Sequence, residues 1–134
     1  PPLPASSAAS DVYKRQIVRG NTSKKIIEMV RKNGAKNVYF ASAAPPVRYQ
    51  NVYGIDMPAT KELVAHGKTV DEIKNFMGAD ELIYQDIEDL RMAAHIGNPK
   101  ITSFEDSVFT GEYKAGKISE EYLKNLENKR PSSE

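Results

Sequence analysis

The sequence predicts an α/β fold: a parallel sheet flanked by helices, with a helical extension at its C-terminal end. Three observations support this fold class. Continuous apolar stretches typical of buried strands alternate with amphipathic stretches typical of helices. Polar capping residues precede the helical stretches, and glycines follow them. Because strand and helix alternate along the chain, the strands are expected to run parallel, with the helices as crossovers between them.

The first helix is predicted to run from Thr22 to about Asn33, because an apolar stripe recurs at helical spacing and Gly34 is placed to end it. A strand is predicted over residues 38–43. Its apolar run is too continuous for a half-exposed strand, so we expect it to be buried on both faces. Tyr39 and Phe40 are therefore expected to lie in the core.

The later elements follow from similar local signals. Thr69 and Glu72 have the spacing of a capping box, which predicts a helix through Phe76, and Gly78 is placed to end it. The other predicted elements are an extended segment or short strand over 52–58, a helix over 60–65, a strand over 82–84, a helix capped by Asp86, a final strand over 107–110 and a last helix from Ser119 through Leu126.

The amino-acid composition excludes several classes of function. The chain has 134 residues, which fits one domain or a piece of one. Its 19 basic and 18 acidic residues interleave and give a net charge of +1, so the charge balance does not support binding to nucleic acid or to a membrane surface. The sequence contains no cysteine, which excludes disulfides and thiolate catalysis. No apolar run approaches the length that spans a bilayer, and we expect a cytoplasmic protein.

The two ends differ in composition from the rest. Residues 1–10 are rich in proline, alanine and serine, and residues 11–16 have no clear period, so we expect 1–16 to be unstructured and foreign to the native protein. Residues 127–134 are polar and are expected to form a disordered tail. The domain is therefore predicted over 17–126.

The most informative stretch is a polar loop that opens the first predicted helix. Gly20 permits a tight turn and a close approach to the backbone. The first turn of a helix has unpaired N–H groups and a partial positive charge, which suits a phosphate. Ordinary helix capping explains the same residue types, and the second glycine of the nucleoside-triphosphatase loop is missing. The predicted phosphate site consists of Arg19, Gly20, Asn21, Thr22 and Ser23.

Topology suggests which other residues lie near this loop. Ligands of open α/β sheets bind beyond the carboxyl ends of the strands, where the loop 19–23 and the segments 42–48 and 54–58 are expected to meet. For Arg48, pairing with a phosphate and facing solvent are equally good interpretations. The predicted pocket gathers Arg19, Thr22, Ser23, Ser42, Arg48 and Asp56.

Several ordered stretches resemble amidophosphoribosyltransferase, also called glutamine phosphoribosylpyrophosphate amidotransferase. They are Ile-Val-Arg-Gly at 17–20 with Thr22 and Ser23, the stretch 38–49, Asn-Val-Tyr-Gly-Ile-Asp-Met-Pro at 51–58, the stretch 62–67, and the stretches 82–86 and 107–111. The resemblance covers about residues 17–126 and corresponds to the C-terminal part of the phosphoribosyltransferase domain.

The resemblance implies an activity for the full-length enzyme. A glutaminase domain releases ammonia, and the phosphoribosyltransferase domain transfers it to phosphoribosyl pyrophosphate, which gives 5-phosphoribosylamine in the first step of de novo purine biosynthesis. The loop 19–23 would hold the 5-phosphate of the ribose. Asp56 and Pro58 would contribute to a purine-nucleotide feedback site. The full-length enzyme would use magnesium and form a homo-oligomer.

Departures from the family pattern predict that this chain alone is inactive. The family has two aspartates before the loop, which hold the ribose hydroxyls and help to place magnesium, and their positions hold Lys14 and Arg15. Two cations cannot rebuild a metal site. Asn21 stands where threonine is usual, and the absence of cysteine excludes a cysteine-held iron–sulfur cluster. We therefore assign no catalytic residue and no metal ligand to this chain.

Three interpretations remain open from sequence. The first is a fragment of the enzyme. The second is a non-catalytic regulatory module of the same fold that binds a nucleotide or phosphate, which the cations at 14 and 15 favour. The third is a structural α/β domain without a ligand.

Overall fold

A two-stranded parallel sheet and five α-helices form the regular structure of the described residues, which in this computed structural model are 16–55, 57–114, 116 and 118–128. Residues 1–15, on which the prediction of a foreign end depends, and Asp56 lie outside them. The elements are α1 (Asn21–Lys32), β1 (Tyr39–Ser42), a 3₁₀ helix (Thr60–Glu62), α2 (Val70–Met77), β2 (Glu81–Tyr84), α3 (Ile87–Gly97), α4 (Ser107–Thr110) and α5 (Glu120–Asn128).

The sheet has the predicted parallel direction. β1 pairs with β2 in a register that places Tyr39 beside Glu81 and Ser42 beside Tyr84. The chain between the two strands contains the 3₁₀ helix and α2, so α2 serves as the crossover. The α/β fold class is thus confirmed.

One face of this sheet carries the core. Ile27 of α1, Ile73 and Met77 of α2 and Leu82 of β2 are almost completely buried in one cluster, and Phe40 packs against it. The cluster also includes Ile17, Val38, Val64 and Ala65. Both helices therefore cover the face on which Phe40 and Leu82 lie.

The prediction that β1 is buried on both faces is wrong. Tyr39 is 67% exposed and Ile83 of β2 is 59% exposed. Side chains alternate between the two faces of a strand, and α1 and α2 cover only one of them. Phe40 packs against the core as expected, whereas Tyr39 faces away from it.

Two other elements differ from the prediction. The helix expected over 60–65 is a single 3₁₀ turn, because Leu63 at its end is extended and the backbone N–H of Val64 bonds to the carbonyl oxygen of Val18 at 2.9 Å instead of continuing a helix. The strand expected over 107–110 is the one-turn helix α4, which ends at Gly111 with φ of 80°. Its valine and phenylalanine mimic a strand in sequence.

The caps predicted at Thr69, Asp86 and Ser119 are present, whereas the turn at Thr60 has Ala59 as its N-cap and no side-chain cap. Thr69 and Glu72 form a complete capping box at α2, and the Asp86 side chain accepts from the N–H groups of Glu88 and Asp89 at the start of α3. Ser119 caps α5, which continues through Asn128. None of the helices in the described ranges has the length and apolar character needed to cross a bilayer.

Asp80 ties the start of both strands to the end of α1. Its Oδ2 accepts a hydrogen bond from the backbone N–H of Val38 at 2.6 Å and one from Nη2 of Arg31 at 2.8 Å. Nη2 of Arg31 also donates to the carbonyl oxygen of Gly78 at 2.9 Å. The bond from Val38, offset in part by desolvation and reinforced by Arg31, holds the pKa of Asp80 below its ordinary value.

α1 opens at a glycine for two reasons. Gly20 has φ of 76°, a left-handed conformation that L side chains rarely adopt. A Cβ atom added there would lie 3.1 Å from Cγ2 of Val64 and 3.2 Å from Cε1 of Phe76. Gly34 also has a positive φ, of 95°, but a Cβ added there would meet nothing within 4 Å. Backbone conformation and packing thus both require glycine at position 20.

The Asp80 network predicts an acid-dependent loss of stability. The pKa of Asp80 is lower in the folded than in the unfolded state. The ionised carboxylate therefore stabilises the fold at pH values above its ordinary pKa of 3.8, and this stabilisation is lost as the pH falls through the folded-state pKa. Asp80→Asn should lower the urea midpoint at pH 7, and the difference between the two proteins should shrink as the pH falls below the ordinary pKa of 3.8. Glu28→Gln, which removes an exposed carboxylate from α1, is the control. A difference that stays constant with pH would contradict the assignment.

The two glycines provide a matched pair. Gly34→Ala should cost about 1 kcal/mol because of its backbone conformation alone. Gly20→Ala should cost roughly 2–4 kcal/mol, because crowding against Val64 and Phe76 adds to the backbone cost. Urea unfolding of both variants measures the difference. Equal losses would show that the close contact at Gly20 relaxes freely.

Candidate phosphate loop and adjoining cavity

The predicted phosphate loop forms the N-terminus of α1. Gly20 is the N-cap, and its carbonyl oxygen accepts the first helical hydrogen bond from the N–H of Lys24 at 2.9 Å. The N-cap contributes no side-chain hydrogen bond, and the first turn contains no acidic residue. Since the first N–H groups of a helix have no acceptor within it, those of residues 21–23 are directed toward the N-terminal end. This arrangement favours an anion.

The five predicted loop residues differ in exposure. Asn21 and Thr22 are exposed, whereas Gly20 and Ser23 are buried. The Ser23 side chain, at 3% exposed, faces the interior of the domain. Ser23 is therefore suited to contribute its backbone N–H to an anion more than its hydroxyl.

Arg19 is paired with a carboxylate. Its Nη2 lies 2.8 Å and its Nε 2.9 Å from Oε2 of Glu62, which belongs to the 3₁₀ helix. The Arg19 side chain is 45% exposed and that of Glu62 is 25% exposed. The sequence analysis did not identify this pair, because the two residues are far apart in the chain and neither has a local signal for the other.

Two lysines concentrate positive charge beside the loop. The ammonium groups of Lys24 and Lys68 lie 5.2 Å and 5.5 Å from the centroid of the Phe76 ring, within the distance of cation–π attraction. The same ring lies against Gly20. Lys68 and Phe76 were missed from sequence because they come near the loop only in the folded chain.

Ser42 and Arg48 have other partners than an anion. The Ser42 hydroxyl donates to the carbonyl oxygen of Ala44 at 2.8 Å. Nη1 of Arg48 donates to the carbonyl oxygens of Ala65 at 2.6 Å and Lys68 at 2.8 Å. Arg48 therefore does not merely face solvent: it binds the turn that follows Val64 and so supports the wall behind the loop. Its pairing with a phosphate stays a prediction.

A cavity of about 690 Å³ adjoins the chain that leads into the loop. Val18, one residue before Arg19, lines it, and so does Pro58, one of the two residues predicted for nucleotide binding. Its other lining residues are Gln16, Asn51, Tyr53, Ile55, Met57, Glu105, Ser107, Val108 and Lys114. Most of this cavity escaped the sequence analysis, because its walls come from separate irregular segments.

A few polar groups interrupt the apolar lining. Glu105 accepts hydrogen bonds from the backbone N–H groups of Ser107 at 3.0 Å and Lys114 at 3.1 Å. Burial alone would raise the pKa of Glu105, but the Ser107 side chain, these two backbone N–H groups and Tyr53 together hold it below its ordinary value. A largely apolar cavity with a few polar groups suits a flat organic ligand.

The described part of the chain offers no metal centre. It contains no group of three or more His, Cys, Asp or Glu side chains placed to hold an ion. The aspartate positions of the family pattern, residues 14 and 15, lie outside it. The described residues therefore provide no ligand set for a magnesium ion.

The chain is similar to amidophosphoribosyltransferases over most of its length. It is 55% identical over 114 residues to the amidophosphoribosyltransferase of Haemophilus influenzae and 55% identical over 114 residues to that of Escherichia coli, in both cases covering 85% of this chain and 23% of the relative. The Saccharomyces cerevisiae enzyme is 48% identical over 116 residues, which cover 87% of this chain and 22% of the relative.

Solved structures agree with these relatives. The glutamine phosphoribosylpyrophosphate amidotransferase of B. subtilis, solved with ADP and GMP, matches 73% of this chain with a TM-score of 0.63 and 34% identity, over 22% of its own chain. A structure described as the allosteric regulatory enzyme of purine biosynthesis matches 84% of this chain with a TM-score of 0.69 and 32% identity, over 24% of its own chain.

No protein-family model matches the chain. The chain spans less than a quarter of the length of the curated relatives it matches. Sequence and fold agree over that portion, and the resemblance stated from sequence is confirmed. The chain belongs with the amidophosphoribosyltransferases and corresponds to the C-terminal part of their phosphoribosyltransferase domain.

Proposed function

We propose that this chain serves, as part of a full-length amidophosphoribosyltransferase, in the transfer of glutamine-derived ammonia to phosphoribosyl pyrophosphate. The product is 5-phosphoribosylamine, and the reaction is the first step of de novo purine biosynthesis. The similarity to enzymes of this name in bacteria and yeast supports the assignment. These relatives are enzymes, so they do not favour the alternative of a non-catalytic regulatory module.

Within that enzyme, the loop Arg19, Gly20, Asn21, Thr22 and Ser23 would hold the 5-phosphate of the ribose. The observation that carries this proposal is the left-handed turn at Gly20, which opens α1 without an acidic residue in its first turn. Backbone N–H groups converging at a helix start bind phosphate through hydrogen bonds and through the helix dipole. Arg19 and Lys24 add positive charge beside it.

The adjoining cavity would take the base of a regulatory purine nucleotide. Its volume of about 690 Å³ and its apolar lining suit a drug-sized flat ligand. The B. subtilis relative was solved with ADP and GMP, which supports nucleotide binding in this family. Pro58 contributes to the cavity wall, and Asp56, which belongs to the same segment, is proposed as a second contact.

Magnesium, a homo-oligomeric state and a cytoplasmic location are proposed for the full-length enzyme only. Lys14 and Arg15 stand at the family's two aspartate positions, and two cations do not provide magnesium ligands. No part of the mechanism of this chain is therefore assigned to a metal.

The phosphate site can be tested by NMR titration with ribose 5-phosphate. We expect saturable shifts of the amide signals of residues 20–24, because these N–H groups would bond the phosphate. Ribose without phosphate is the control ligand and should leave them unchanged. Shifts confined to other residues would contradict the site.

A pair of charge variants sharpens this test. Asn21→Glu places a carboxylate in the first turn of α1, where it stabilises the helix but occupies the anion position. It should abolish ribose 5-phosphate binding without lowering the urea midpoint. Met29→Glu makes the same change of charge further along α1, at a side chain that is 58% exposed, and should retain binding. Equal binding by both variants would contradict an anion site at the helix start.

The chain alone should make no phosphoribosylamine. It has no cysteine to attack glutamine, and residues 14 and 15 cannot place the ribose hydroxyls with a metal. Most of the relatives' length lies outside the portion it matches. An assay with phosphoribosyl pyrophosphate, magnesium and ammonium, which bypasses glutamine, should release pyrophosphate no faster than the protein-free control. Clear turnover would contradict this expectation.

A further inference from the structure

Glu62 is the carboxylate that lies against the candidate phosphate loop. Both of its short contacts with Arg19, from Nη2 at 2.8 Å and from Nε at 2.9 Å, converge on one oxygen, Oε2. The Nε–Nη2 edge of a guanidinium can also bind a phosphate through two hydrogen bonds. A carboxylate thus occupies a phosphate-binding edge of the arginine at the start of α1.

The fold fixes Glu62 in this position. Its backbone N–H bonds to the carbonyl oxygen of Ala59 at 2.8 Å within the 3₁₀ helix. Leu63 and Val64, which follow it, are 2% and 4% exposed. The N–H of Val64 bonds to the carbonyl oxygen of Val18 at 2.9 Å, so the backbones on either side of the ion pair are tied together. Glu62 is therefore held beside Arg19 by packing that does not depend on the ion pair.

Glu62 and the expected phosphate ligand are both negatively charged, so they repel each other. The first turn of α1 has no acidic residue, and Arg19, Lys24 and Lys68 lie around it. A phosphate monoester carries nearly two negative charges at neutral pH, so it attracts Arg19 more strongly than a single carboxylate does. Only one of the two anions at a time can accept both hydrogen bonds from this edge of the guanidinium.

We propose that Glu62 is a positioning residue that competes with the phosphate for Arg19 and thereby sets the affinity of the loop for phosphate monoesters. This inference rests on the proposed function of the loop. Without ligand, Glu62 holds the guanidinium against the 3₁₀ helix. When a phosphate binds, Arg19 exchanges this carboxylate for the phosphate, and the lost ion pair weakens binding.

The test is a double-mutant cycle with ribose 5-phosphate as the probe. Glu62→Gln keeps the size of the side chain and removes its charge. It should tighten binding by about two- to fivefold, because the exposed ion pair that the phosphate would otherwise have to break is absent. In the Arg19→Gln background the same substitution should change affinity by less than about twofold, because the competition acts through Arg19. Glu28→Gln, which removes an exposed carboxylate further along α1, is the control and should leave affinity unchanged.

Each other outcome overturns the proposal. Weaker binding by Glu62→Gln would mean that Glu62 orients Arg19 toward the ligand. Equal tightening in both backgrounds would mean repulsion through space without competition for Arg19. Binding unchanged by Glu62→Gln removes the role of Glu62 but leaves the phosphate site intact. Absence of ribose 5-phosphate binding in all of the proteins, with well-dispersed amide spectra, removes the phosphate site itself and with it the role of Glu62.

Discussion

The candidate site depends on the close contact between the backbone of Gly20 and the side chains of Val64 and Phe76. Any Cβ at position 20 would lie 3.1–3.2 Å from atoms of these two residues. Ile17 and Ile27, on either side of the turn, belong to the same buried cluster. The chain must therefore turn sharply between these two buried residues, and only a glycine in the left-handed conformation fits there. Packing, and not a capping side chain, thus sets the direction in which the first N–H groups of α1 point.

Hydrogen bonds hold the wall behind this turn together. Nη1 of Arg48 donates to the carbonyl oxygens of Ala65 and Lys68, and the N–H of Val64 donates to the carbonyl oxygen of Val18. An arginine with several fixed donors suits this task better than a lysine would. Arg48 thus stabilises the fold through its contacts with the backbone. Within the described ranges, other cations beside the loop come from separate segments, at residues 19, 24 and 68.

Local signals predicted the elements that local interactions form. The capping box at Thr69 and the cap at Asp86 were found from sequence because their partners lie within a few residues. The exposure of Tyr39 could not be found in this way, since it depends on which face of the sheet α1 and α2 cover. The same holds for the pair of Arg19 with Glu62 and for the cavity at Pro58, whose parts meet only after the chain has folded.

The charges around the loop also explain how it can fold before any anion arrives. Cations beside the positive end of a helix repel that end and one another, which opposes the turn. The structure offsets this on two sides. Glu62 neutralises Arg19, and the ring of Phe76 attracts the ammonium groups of Lys24 and Lys68 through its quadrupole. The ring is neutral and does not repel an incoming phosphate, whereas Glu62 does. Lys24 and Lys68 are thus already placed to attract an anion, whereas Arg19 must first leave Glu62.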